Sequence, residues 1–143
     1  MTALAVAGVV VLADLGVKAL LRRRLGSRAV SLGPLGALRI VGAPLWLTRA
    51  DARFGLLAIW TIWALAAGTL MVVSAWLPAP QPFVGLLLGG SISNALERSL
   101  RGSVSDYVCL RWWPAFNLAD AAVTAGAIGL VAQILRMAEI AVS

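Results

Sequence analysis

Long apolar runs decide most of what this chain can become. Residues 3–21, 54–77 and 118–142 are each long and nearly uncharged, and a shorter run covers 83–97. A helix needs about 20 apolar residues to cross the hydrocarbon core of a bilayer. Three runs meet that length. The shorter one reaches it if the helix continues past Glu97 and Arg98 with their side chains snorkelling outward. Hydrophobic residues fill 61% of the 143 positions and charged residues 13%, against about 25% charged in a soluble domain. The expected fold is an all-α membrane protein with four transmembrane helices, in one domain spanning 1–143.

The segments between the runs have distinct characters. The first run stops at Arg22, Arg23 and Arg24 without a small-residue cleavage site, so it reads as a retained helix and not a signal peptide. Pro78, Pro80 and Pro82 close the second run, because proline supplies no amide donor to continue a helix. Residues 25–53 are rich in Gly and Pro and read as a small β-hairpin or cradle on one membrane face. Residues 98–117 form a second loop. Trp46, Trp112 and Trp113 suit interfacial anchors.

Four spans in series alternate direction. The end of span one, the start of span two, the end of span three and the start of span four then share one side. Asp14, Lys18, Asn94, Glu97, Arg98, Asp106, Asn117 and Asp120 all fall there, and five of the six acidic residues (all but Glu139) do so. Carboxylates at a membrane boundary are costly unless solvated, paired or protonated. Asp106 and Asp120 therefore suggest acid–base chemistry on something that enters from the lipid.

Other chemistries fit poorly. With no histidine and one cysteine, a zinc or haem site is not expected, and no intramolecular disulfide can form. Cys109 reads as a small packing residue or a free thiol. Twelve basic residues against six acidic ones raise the question of nucleic acid. The arginines instead flank apolar runs, as headgroup-binding residues do, and form no groove-reading motif. Membrane phospholipids are the expected contacts.

The individual polar residues each carry two readings. Asp14 and Lys18 are an i, i+4 pair in the favourable acid-first order, either self-neutralising or orienting a nearby group. Asn117 followed three residues later by Asp120 resembles a helix cap, which accounts only in part for Asp120 and not for Asp106. Asn94 needs partners for its amide, and Arg98 is either an interfacial anchor or a grip on a carboxylate or phosphate. Gly85, Gly89 and Ser93 form a small-residue stripe, as do Ala121, Ala125 and Gly129. Such stripes let helices approach closely, and these two are candidates to face each other.

The stretch Gly89-Gly90-Ser-Ile-Ser-Asn94-Ala-Leu-Glu97-Arg98-Ser-Leu-Arg-Gly102-Ser-Val104-Ser-Asp106-Tyr107 resembles a block of lipoprotein signal peptidase (signal peptidase II), which reads roughly GGAxGNxxDRxxxGxVxDF. Pro114-Ala-Phe116-Asn117-Leu-Ala119-Asp120 is similar to that family's final block, PxFNxAD. Asp14 with Lys18 resembles its DxxxK on the first helix. The family's NxGxAF motif has no close counterpart; Ile40-Val-Gly42-Ala43-Pro44-Leu45 is the nearest stretch. Glu97 stands where aspartate is usual, and the interval between the two aspartates is short.

The resemblance implies an aspartic membrane endopeptidase that cleaves the signal peptide of a prolipoprotein before its diacylglyceryl-cysteine. It implies catalytic roles for Asp106 and Asp120, and substrate-binding or supporting roles for Asp14, Lys18, Asn94, Arg98 and Asn117. No cofactor, metal or nucleic acid is expected, and the protein is expected to act as a monomer in the bacterial inner membrane. Loop 25–53 and its border carry seven arginines (22, 23, 24, 28, 39, 49 and 53), which the positive-inside rule would place in the cytoplasm. The family places its site on the outer face, and that is the orientation expected. The alternative is a catalytically altered or inactive relative that binds lipopeptides or a partner membrane protein. A solute carrier with a carboxylate relay fits less well, since the charges gather at one edge.

Overall fold

The computed structural model describes residues 2–43, 60, 61, 63–68, 72 and 81–142. Most of the expected second span and Trp46 lie outside the described residues. Three long helices are complete: α1 (Thr2–Leu25), α2 (Gln81–Arg101) and α3 (Leu118–Val142). Residues 63–68 are also helical. α1 and, over Leu118–Ile140, α3 are long and apolar enough to cross a bilayer. Glycines in the left-handed region end two helices, which removes the steric penalty a side chain would carry there. Gly26 (φ 54) donates its N–H to Arg22, and Gly102 (φ 74) donates to Arg98.

α2 is the central helix. Gly85 and Gly89 let α1 pack against it so closely that a Cβ at Gly89 would stand 2.7 Å from the Ala7 carbonyl oxygen and 2.8 Å from the Ala7 Cα. Gly90 does the same for α3, against Ala119 and Val123, and Gly126 takes the backbone of Phe83 and Leu87. The two stripes expected to face each other do not. Gly85, Gly89 and Ser93 face α1, while Ala121 and Ala125 are exposed and Gly129 alone of its stripe meets α2, at the Phe83 ring. The close-packed side of α3 carries Ala119, Ala122 and Gly126. Periodicity shows which residues share a helix face, but not which neighbour that face meets.

The partly described helix lies against α2 on another side. Trp63 Nε1 donates to Ser91 Oγ at 2.9 Å and Trp60 Nε1 to Ser99 Oγ at 2.8 Å. As the tryptophan number falls the serine number rises, so the two segments run antiparallel. Trp63 and Ala67 also pack against the apolar cluster of Ala3, Val84 and Leu88.

A three-stranded antiparallel sheet sits at the other end of α1. β1 (Val30–Ser31) and β2 (Gly36–Ala43) make the hairpin expected within 25–53. The third strand was not expected. β3 (Val104–Leu110) pairs with β2, in the order β1-β2-β3. Val104, Tyr107 and Val108 are good strand residues, and they were hidden inside a segment read as a loop. The register of β2 with β3 shifts between Leu38 and Val41, so Val108 to Leu110 pair on one side of an irregularity and Val104 to Asp106 on the other.

Candidate active site

The chain after β3 turns back on itself. Val108 and Phe116 form an isolated bridge, with Val108 N donating to Phe116 O at 2.9 Å and Phe116 N to Val108 O at 3.1 Å. That return brings Asn117 beside Asp106, although eleven positions separate them. Asn117 Nδ2 donates to Asp106 Oδ1 at 2.9 Å.

The first turn of α3 begins at the same place. A helix start leaves four amide N–H groups without intrahelical partners. Here three are taken by side chains from three elements. Leu118 N donates to Tyr107 Oη of β3 at 2.9 Å, Ala119 N to Asp14 Oδ1 of α1 at 3.1 Å, and Asp120 N to Asn117 Oδ1 at 2.9 Å. Asn117 N in turn donates to Asp120 Oδ2 at 3.0 Å, completing the reciprocal cap expected from sequence. The second Asp120 oxygen accepts from Asn94 Nδ2 of α2 at 2.8 Å. Asp120 therefore stands on a helix terminus fixed from every side.

Beneath the two aspartates lies a buried charge cluster. Asp14 and Lys18 are fully or almost fully buried, at 0% and 1% exposure, and their ion pair spans 2.6 Å. Ser93 Oγ donates to Asp14 Oδ2 at 2.7 Å. Lys18 Nζ also donates to Asn94 Oδ1 at 3.0 Å and pairs with Glu97 Oε2 at 2.9 Å. Asn94 thus links Lys18 to Asp120. Its partners are the Asp120 carboxylate at a helix terminus and the Lys18 ammonium.

Glu97 and Arg98 depart from expectation. They do not snorkel; they are 2% and 6% exposed. Glu97 pairs with Lys18 and Arg22, and its Oε2 accepts the backbone N–H of Ser105 at 3.1 Å. Arg22 also donates to Ser105 Oγ at 2.8 Å. A carboxylate met by two cations and an amide is stable inside the protein, whereas an unmatched one would be driven outward. Sequence reasoning passed over Arg22, Ser105 and Tyr107, read Ser93 as packing only, and placed Glu97 on the crowded side without a role. The usable signals were the i, i+4 spacing of Lys18 with Arg22 and the hydroxyl of Ser93 inside a long apolar run.

Asp106 and Asp120 are both half-buried. Burial pushes the Asp106 carboxyl above its usual range; the Asn117 hydrogen bond pulls it down, the Asp120 charge raises it and Lys18 lowers it. Burial likewise pushes the Tyr107 phenol up to about 12. A mainly apolar cavity of about 360 Å³ opens onto Asp120, walled by Trp113, Phe116, Ala121 and Ile128 among others. No group of three or more metal-ligating side chains exists among the described residues.

The profile of the family described as Signal peptidase (SPase) II matches residues 6–136, covering nearly all of this architecture. The chain belongs to the signal peptidase II family. The lipoprotein signal peptidase of Moorella thermoacetica is 36% identical over 114 residues, 71% of this chain and 76% of that protein. The lipoprotein signal peptidase of Syntrophomonas wolfei is 33% identical over 113 residues, with the same coverage of 71% and 76%. A solved structure described as a bacterial membrane enzyme superimposes with a TM-score of 0.77 over 94% of this chain and 88% of that one, at 21% identity, a likeness of fold.

Against the pattern of signal peptidase II, this chain's blocks assemble around one site. Asp14 and Lys18 of the first helix, Asn94 and Glu97 of the glycine-rich block, Asp106 on β3, and Asn117 with Asp120 of the final block share one hydrogen-bonded network. Glu97, in the usual aspartate position, is long enough to reach Lys18, Arg22 and Ser105 together. Ile40, Gly42 and Ala43, in the place of the missing motif, form part of β2.

Proposed function

We propose that this protein is an aspartic membrane endopeptidase. It removes the signal peptide of a diacylglyceryl-modified prolipoprotein by cutting before the lipidated cysteine. The observation that carries this reading is the double grip of Asn117, which donates to Asp106 through its side chain and to Asp120 through its backbone. It holds two carboxyls of different elements at one spot beside an apolar cavity.

Two neighbouring carboxyls do not ionise independently, because the second charge is opposed by the first. One proton is then held between them over the working range. Asp106 keeps that proton, in line with its raised pKa. Asp120 is the base, with Asn94 and Asn117 donating to its two oxygens. Asp120 takes a proton from a water molecule, and the hydroxide oxygen bonds to the scissile carbonyl carbon. Asp106 donates its proton to the carbonyl oxygen, giving a neutral tetrahedral diol. Asp120 then protonates the leaving nitrogen as the C–N bond breaks, and a diol proton returns to Asp106. Both carboxyls end as they began.

Asp14, Lys18, Asn94 and Asn117 support this arrangement by holding the start of α3. Arg98, buried near the same end, completes the supporting set in this reading. The bilayer is the bacterial inner membrane, crossed several times, with the site on the outer face. The cavity beside Asp120 admits an apolar segment of the substrate from the lipid side. A binding-only relative would have no need to keep both acids on one clamp.

The test is cleavage of a purified diacylglyceryl prolipoprotein by the wild type and by Asp106→Asn and Asp120→Asn. Each asparagine preserves size and loses the titratable proton. Cleavage should fall by roughly a thousandfold or more in both, as for loss of an essential acid–base group, with both variants still folded; Asp120→Asn should lose about 1–3 kcal/mol of stability, because its amide cannot accept from both Asn94 and Asn117. Wild-type turnover in either variant refutes the dyad, and a lipopeptide that binds the wild type without being cut establishes the binding-only reading.

A further inference from the structure

β3 carries Asp106 near its start, where Asp106 stands opposite Val41 and Ser105 opposite Gly42 of β2. The strand is at the edge of the sheet. The register slips by one residue between the pairs Leu38–Val108 and Val41–Asp106, with the extra residue in β2. Bulges near active sites re-aim side chains, and with β2 on one side only, contacts from outside the ladder fix the aim at this end of β3. The residue before Asp106 is where that happens. Ser105 is buried. Its N–H donates to Glu97 Oε2 at 3.1 Å, and its hydroxyl accepts from Arg22 at 2.8 Å. Arg22 and Glu97 are themselves ion-paired. Three elements meet at this point: the last turns of α1, the end of α2 and the start of β3.

Neutralising Asp14 does not require this arrangement, since Lys18 already does so at 2.6 Å. Glu97 adds a second buried carboxylate, and Arg22 a second cation. The added pair leaves the net charge of the cluster unchanged. What it adds is two directed hydrogen bonds to one strand residue, which lies next to Asp106.

We infer that Arg22 and Glu97 are positioning residues that clamp Ser105, and through it set where the Asp106 carboxyl stands relative to Asp120. The assignment deepens the proteolytic reading and rests on it for its kinetic consequences. The clamp acts on kcat and not on substrate binding, because a reacting group misplaced by about 1 Å can lose about a hundredfold in rate.

The experiment compares Glu97→Gln, Arg22→Gln, the double variant and Ser105→Ala with the wild type. The kinetic probe is a synthetic diacylglyceryl prolipopeptide. Each of the two charge variants should lower kcat by roughly 10- to 100-fold with KM changed less than about threefold. The double variant should be no slower than the slower single one, because the two act as one unit. A second readout needs no turnover: amide hydrogen exchange in purified protein. Exchange over 104–107 should rise about tenfold or more in all four variants, with α1 and α2 as protected as in the wild type. Ser105→Ala removes only the hydroxyl acceptor, so it answers the question if a charge variant fails to fold. Unchanged exchange over 104–107 in Ser105→Ala and in the folded charge variants overturns the clamp. So does a loss confined to KM, or additive loss in the double variant. If the wild type cuts no lipopeptide, the proteolytic reading fails, and the exchange measurement still decides whether the clamp exists.

Discussion

Asn117 donates its side-chain amide to Asp106 at 2.9 Å, and the same side chain caps α3 by accepting from Asp120 N at 2.9 Å. One buried amide thus ties the strand-borne acid to the helix-borne acid. Its hydrogen bond also lowers the proton affinity of Asp106, against the larger raising effect of burial.

Replacing Asn117 by alanine should therefore do two things. The first is a fall in kcat of roughly 10- to 100-fold, from lost alignment. The second is an upward move of the alkaline limb of the kcat–pH profile. A raised carboxyl pKa means the neutral form is favoured in the folded protein, so the protonated Asp106 and its contribution to stability are present at low pH and lost as pH rises through the folded value. Removing a bond that favours the anion lifts that value further. A limb that stays put or moves down would show that Asp106 is not the proton holder.

Tyr107 gives a spectroscopic test. It is the chain's one tyrosine, so its phenolate absorbance has no competing source. The folded midpoint should lie near 12 and not at the ordinary 10. The neutral phenol's contribution to stability is complete below the ordinary value and is lost as pH climbs toward 12. Tyr107→Phe leaves the Leu118 N–H without its acceptor and should cost about 1 kcal/mol of stability in reversible denaturation. A midpoint near 10 would mean that Tyr107 is solvated and not the helix cap.

Much of this organisation was legible in the chain before any coordinates. The start of α3, its Asn117–Asp120 cap and the Asp14–Lys18 pair follow from spacing alone, because each is local. The expectation that Glu97 and Arg98 would point outward failed for a non-local reason: Glu97 meets Lys18 and Arg22 of α1, the nearer in sequence 75 positions away. β3 was hidden because a seven-residue stretch such as Val104–Leu110 is equally good as strand or loop until β2 offers it an edge. The mismatch of the small-residue stripes has the same origin.

Helix approach can be tested by contrast. Gly89→Ala would push a methyl into the Ala7 backbone, whereas a Cβ at Gly8 meets nothing within 4 Å. Overpacking of this kind costs about 1–3 kcal/mol, while alanine at an open helical site is neutral or better. Thermal unfolding in detergent should separate the two variants clearly. Equal stability would place α1 farther from α2 than described.

The sheet carries one acid and the helical bundle carries the other. In the proposed reaction a peptide lying along the strands would bear on Asp106 while Asp120 stays fixed at the start of α3, so one dyad has two separate mounts. Swapping the hairpin for one of different stiffness would retune the chemistry without touching either acid.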